Sequence, residues 1–344
     1  MALTHCELIA DDADLILTKQ PSYPNRQRVA EIRLLSWVSY LMVSRTNAAQ
    51  AVIRVQTLLG YSELHVPNAS ATPIFHNHKV NMKITFALLA FFVALSFSSL
   101  ARADEVQVGQ LERVETRGVF VPIYAVWNKA AVATVVLYSG GGGGFGKMGA
   151  DGWPSSMNFL IRSAKLFSAH PFNVILVGRA SDVSSLDGLT RVGDDHALDN
   201  QAIFRAIKAK SSAQIWLVGT SMGTISVTAA ATRDSGSDIA GIVLTSSVTA
   251  YRVKGAVPTQ DLAKIKVPVL VLHHERDACK VCTPYEAKDI ASGLKNSPIK
   301  KTVLVSGGDG ASGDPCEALH YHGFIGMEKE AVDLIADWVI HPSL

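Results

Sequence analysis

This sequence has little charge and no excess of either sign: 32 lysines and arginines face 30 aspartates and glutamates, for a net charge of +2. No block of like charges forms a binding tail, so nothing in the composition points to a nucleic-acid partner. Internal repeats and low-complexity tracts are also missing, apart from the glycine run Gly140 to Gly144, which excludes solenoid and fibrous architectures. Cysteine is scarce, at four residues. Apolar residues make up 48% of the 344 positions and charged ones 18%, a balance that suits a globular chain with a large core.

Long apolar runs are absent too, with one exception. Met82-Lys83 precedes the apolar stretch Ile84 to Leu100, which Ala101-Arg102-Ala103 follows. A positive start, a short apolar core and a small-residue cleavage site are the parts of a secretory signal peptide. The expected cut falls before Asp104. Because a signal peptide normally begins at the initiator methionine, residues 1–81 read as a non-native or mis-annotated extension, with translation expected to start at Met82. The competing reading keeps Ile84 to Leu100 as an uncleaved membrane anchor. On the first reading the mature chain is 104–344, about 241 residues, a length that fits one domain. It is expected in the periplasm or outside the cell, with membrane contact only through the signal or that anchor.

From about Val119 onward, apolar runs bounded by turn residues alternate with stretches of helical period, which predicts a mostly parallel sheet with helices on both faces. Val119 to Trp127 and Ala133 to Tyr138 read as neighbouring strands. Phe159 to Ala169 reads as helix, Asn173 to Val177 as strand, Ala197 to Lys210 as helix and Ile215 to Val218 as strand. Thr224 to Thr232 reads as helix, and Ile239 to Thr245 and Val267 to Leu272 as strands. Pro284 to Leu294 reads as helix, Lys301 to Val305 as the last strand and Phe324 to Val339 as a closing helix. The connection from Thr245 to Val267 is too short for a large lid, so an open or shallowly covered cleft is expected.

Gly219-Thr220-Ser221-Met222-Gly223 has the form G-x-S-x-G and lies between a predicted strand and a predicted helix. That is where a nucleophilic serine is held on a tight turn above a sheet. A serine hydroxyl needs a base within hydrogen-bond reach and a carboxylate to orient the base. The expected chain order is serine, acid, histidine. Asp277, on the loop after Val267 to Leu272, is the candidate acid, and exposed Glu275 is the runner-up. The base is His322 or His320, and Gly323 frees the backbone beside His322. His273 and His274 read as strand-end residues, and His170, His196 and His341 as surface ones. The amide of Met222 is one candidate oxyanion donor. Gly141 or Gly142 of the polyglycine loop supplies the other, since the lysine of a phosphate-binding loop is out of register.

Cys279-Lys280-Val281-Cys282 is a C-x-x-C. Neither zinc nor redox exchange fits well: zinc would need a fourth ligand besides Cys316 and a nearby histidine, and a redox pair belongs at a helix start in a thioredoxin-like unit. The preferred expectation is a structural disulfide from Cys279 to Cys316, joining the acid-bearing and base-bearing loops. Cys282 to Cys316 is the alternative. No metal is expected.

With these residues in order, the chain resembles the α/β-hydrolase superfamily from about Val119 to the carboxyl terminus, and within it the lidless carboxylesterase and dienelactone-hydrolase-like branches. Pro315-Cys316-Glu317-Ala318, leading to His322-Gly323-Phe324, is similar to a stretch in secreted bacterial members. The resemblance implies an α/β-hydrolase fold, His322 as base, and catalysis through an acyl-enzyme on Ser221 with no cofactor. Serine, in place of the cysteine of dienelactone hydrolases or the aspartate of haloalkane dehalogenases, favours a small-molecule ester substrate. An amidase, peptidase or thioesterase using the same residues is the first alternative, and an inactive binding protein of this fold is the second.

Overall fold

The computed structural model describes residues 108–235 and 238–343. The expected extension, signal peptide and cleavage site lie outside the described residues. Eight strands form one sheet: β1 (Gln110–Thr116), β2 (Val119–Val126), β3 (Ala133–Tyr138), β4 (Phe172–Val177), β5 (Gln214–Thr220), β6 (Gly241–Thr245), β7 (Val269–His274) and β8 (Lys300–Val305). Their spatial order is β1-β2-β4-β3-β5-β6-β7-β8. β1 and β2 run antiparallel to their neighbours, and every pairing from β4 to β8 is parallel.

The central strands β3, β4, β6 and β7 are buried along their whole length. Helices cover both faces, so neither side of these strands needs polar residues, and their sequences read as continuous apolar runs. On one face Ile203, Phe204 and Ile207 of α4 (Asp194–Lys210) pack with Val227 and Ala230 of α5 (Gly223–Arg233), and with Ile290 of α6 (Ala287–Gly293). On the other, Phe159 to Ile161 of α1 (Phe159–Arg162) and Phe167 of α2 (Ala164–Ser168) pack with Ile335 and Trp338 of α7 (Glu328–Ile340). This is the α/β-hydrolase fold.

Three expectations need correction. β2 and β3 are not neighbours, because β4 lies between them and pairs antiparallel with β2. The short link at Asn128-Lys129 suggested a hairpin, but it is Asn173, at the start of β4, whose side chain accepts the Asn128 amide. The helix expected over Phe159 to Ala169 breaks at Ser163 into α1 and α2. The closing helix begins at Glu328, because Phe324 is left-handed at φ +56°. Strand β1 and the one-turn helix α3 (Gly188–Val192) were not anticipated. β1 joins β2 through a two-residue turn in which Arg117 and Gly118 both have positive φ, the geometry that suits a twisted hairpin.

The link from β6 to β7 holds only the single turns Val257–Thr259 and Leu262–Lys264. No large lid covers the sheet among the described residues. Among the described residues no helix is long and apolar enough to cross a membrane.

Candidate active site

In an open parallel sheet, ligands bind in the crevice beyond the carboxyl ends of the strands. Here the loops after β3, β5, β7 and β8 meet around a cleft of about 510 Å³, lined by Ser221, Met222, His322 and Gly140 to Gly144.

Ser221 sits between β5 and α5 at φ +51°. That backbone is unfavourable for any residue with a side chain, and the surrounding structure holds it. The Ser221 amide donates to the Thr245 carbonyl at 3.0 Å, and the Thr224 hydroxyl donates to the Ser221 carbonyl at 2.6 Å. The flanking glycines are needed because strand and helix approach so closely. A Cβ on Gly219 would lie 2.7 Å from the Gly223 oxygen, and one on Gly223 would lie 2.0 Å from the Tyr138 oxygen.

Asp277 follows β7, and its side chain is fully buried. One carboxylate oxygen accepts the Cys279 amide at 2.9 Å, and the other pairs with Nδ1 of His322 at 2.8 Å. Since an ionised carboxylate only accepts, Nδ1 carries the proton and Nε2 carries the lone pair. Nε2 is buried and has no hydrogen-bond partner among the described residues. The His322 turn, Tyr321–Gly323, is pinned from two sides. The Ser246 hydroxyl donates to the His322 carbonyl at 2.8 Å, and the Arg162 guanidinium donates to the Gly323 carbonyl at 2.6 Å. The runners-up fall elsewhere: Glu275 is exposed, and His320 stands edge-on to Tyr321.

His273 and His274 do end β7. His273 accepts the Ser247 amide on Nε2 at 2.9 Å, and burial holds its pKa down to about 4. His196 is not a surface residue. It is buried with Nε2 3.0 Å from the Ser226 hydroxyl, and burial lowers its pKa to about 3. α4 had been read from Ala197, one residue too late to include it.

In the polyglycine loop, Gly141 takes φ +55°, and Gly142 accepts the Leu186 amide at 2.9 Å. Gly140, which the sequence did not single out, lies closest to the serine: a Cβ there would be 2.8 Å from the Ser221 Cβ. Arg191 of α3 was missed as well. Its guanidinium is buried and donates to the carbonyls of Leu186, Ser139 and Gly141 and to the Ser226 hydroxyl. It therefore fixes carbonyls of the loop that lines the cleft. Burial lowers its pKa to about 10, which leaves it charged at neutral pH.

Cys279 and Cys316 form the expected disulfide. Cys282 is a free buried thiol, and burial pushes its pKa well up, partly opposed by the Ser221 side chain. The sulfurs of Cys279 and Cys282 and a ring nitrogen of His322 lie within 4.8 Å of one another.

No protein-family model matches the sequence. No curated protein matches it either. Among solved structures, an α/β serine hydrolase homologue from Coxiella burnetii is similar at 16% identity, over 68% of this chain and 98% of that one, with a TM-score of 0.48. Lidless α/β serine hydrolase XC6422 from Xanthomonas campestris is similar at 13% identity, over 69% and 96%, with a TM-score of 0.46. The carboxylesterase CesB from Bacillus subtilis is similar at 16% identity, over 73% and 97%, also at 0.46. Likenesses this distant leave the fold assignment resting on strand order and pairing.

Proposed function

We propose that the protein is a serine hydrolase that cleaves a carboxyl ester through an acyl-enzyme on Ser221. The observation that carries this reading is the buried Asp277–His322 pair, 2.8 Å apart, with its unpartnered Nε2 in the same cleft as the strained Ser221. Asp277 fixes the tautomer, so the Nε2 lone pair is available to take the Ser221 proton as the oxygen attacks the ester carbonyl. The amide of Met222 and an amide of the Gly140–Gly142 segment stabilise the resulting oxyanion. His322 then protonates the leaving alcohol, and water repeats the sequence to release the acid. Nε2 of His322 has no hydrogen-bond partner among the described residues, and catalytic hydrogen bonds are often long until substrate is bound. The Cys279–Cys316 disulfide supports the expectation of an oxidising compartment outside the cytoplasm.

A fluorophosphonate probe tests the reading. Labelling of Ser221 in the folded protein is expected, with labelling lost in Ser221→Ala and hydrolysis of a short-chain ester lost with it. An unlabelled, folded wild-type chain would favour a binding protein of the same fold. Turnover of a thioester or anilide in preference to the matching ester would reassign the bond that is cleaved.

A further inference from the structure

The cysteines take no part in the proposed reaction, yet they converge on its base. The Cys282 amide donates to the Cys279 carbonyl at 3.0 Å, which folds the C-x-x-C into one turn. The two sulfurs and a His322 ring nitrogen lie within 4.8 Å of one another. Cys316 is bonded to Cys279, so its sulfur adjoins this group without lying within 4.8 Å of all three atoms. Three sulfurs and one imidazole are the Cys₃His donor set of tetrahedral zinc, whose ligand atoms stand roughly 3.6–3.8 Å apart.

The outer shell is in place too. Metal-bound histidines pass their other ring N–H to a carboxylate, which fixes the tautomer and raises ligand basicity. His322 does this with Asp277 at 2.8 Å, leaving Nε2 buried with no partner among the described residues. What prevents coordination is the disulfide. Cys316 is exposed and lines the cleft, within reach of a small thiol. Its loop carries Gly310 and Gly313 at positive φ, with nothing within 4 Å of a Cβ built on either, so it has room to adjust.

We propose that the reduced protein binds one zinc ion through Cys279, Cys282, Cys316 and Nε2 of His322, and that metal binding and hydrolysis exclude each other. The second half rests on the hydrolase reading, while the first does not. A small-molecule dithiol reduces the disulfide, losing two electrons and two protons to become a disulfide itself and leaving the Cys279 and Cys316 thiols. Zinc then displaces three thiol protons and takes the Nε2 lone pair, with no electron transferred in that step. The site would keep the enzyme silent in a reducing compartment and release it on oxidation.

The test uses the full chain, anaerobically, in oxidised and dithiol-reduced forms. Reduced protein is expected to retain one zinc through desalting, and oxidised protein none. Cobalt in place of zinc should show thiolate charge-transfer absorption and tetrahedral ligand-field bands. Cys282→Ser should weaken binding by at least about tenfold, and Asp277→Asn by about 10- to 100-fold as an outer-shell change. Ser221→Ala should bind as wild type does, so metal binding is read without any activity. If reduction loosens the fold, zinc should restore the circular dichroism of the oxidised chain. A reduced chain that retains no zinc, a cobalt spectrum without thiolate absorption, or full affinity in Cys282→Ser would each overturn the site. Ester hydrolysis by the zinc-loaded form would overturn mutual exclusion. Loss of hydrolysis in both forms, with zinc still bound, would instead count against the hydrolase reading.

Discussion

Four non-glycine residues have positive φ among the described residues, and three of them, Ser221, Ser246 and Phe324, belong to the candidate site. Such conformations cost about 1–3 kcal/mol each and persist only where the surroundings enforce them. Ser246 uses its position to hold the His322 carbonyl, and Phe324 packs on Phe159 with ring centroids 4.8 Å apart. At Gly140 the constraint is space: a methyl group would press on the Ser221 Cβ at 2.8 Å and on the Thr220 oxygen at 3.1 Å. Gly140→Ala is expected to lower kcat/KM by about a hundredfold, the scale of a 1 Å misplacement at a reacting group, and to lower the thermal melt through the roughly 1–3 kcal/mol that overpacking costs. Ester kinetics beside differential scanning fluorimetry checks both halves. At this scale Ser221, Asp277 and His322 were legible as candidates because G-x-S-x-G after a strand, and the order of the three residues along the chain, can be read from the sequence alone. Cys282, His196 and Arg191 were not, because a polar side chain's burial depends on what packs over it.

The elements that carry the site differ in how plainly the sequence announces them. β5 and α5 read clearly, as an apolar run and a stretch of small residues about the Ser221 turn. α3 spans five residues, too few to show a period, yet it supplies Arg191. Replacing Arg191 by methionine would strip the carbonyls of Leu186, Ser139 and Gly141 of a charged donor. Each buried acceptor left unsatisfied costs about 1–3 kcal/mol, partly offset by no longer desolvating a guanidinium. A net loss of about 2–4 kcal/mol is expected from denaturant midpoints. kcat should fall more than KM rises, because oxyanion donors act chiefly in the transition state. A variant with unchanged kcat would show that α3 does not position the polyglycine loop. The neighbour misread at β2 and β3 has a similar origin: a short link suggests adjacency, but pairing is decided across the sheet, where β4 enters between them.

For the whole molecule, buried neutral histidines set the acid limit. His273 is held down to about 4 and His196 to about 3, both by burial, against about 6.5 when unfolded. The unfolded chain therefore binds more protons between these values, so stability is fully present above pH about 6.5 and is lost as pH falls toward 4. At about 1.4 kcal/mol per unit, each histidine accounts for a loss on the order of 3 kcal/mol. Thermal melts from pH 7 to 4 should fall steeply below 6.5, and His273→Gln should flatten the slope. A flat profile in the wild type would show that these imidazoles are not buried as neutral groups.

The sequence by itself determined the layered α/β architecture, because apolar periodicity records which residues face a core, and it named Ser221, Asp277 and His322 as candidates in that chain order. It also singled out Cys279 and Cys316 as the favoured disulfide pair while leaving Cys282 open as an alternative. Only the tertiary structure decided that β4 separates β2 from β3, that Arg191 bonds the polyglycine loop, and that Cys282 lies within 4.8 Å of His322 and Cys279. These are contacts between residues far apart in the chain, and burial and proximity of that kind come into being only when the sheet assembles.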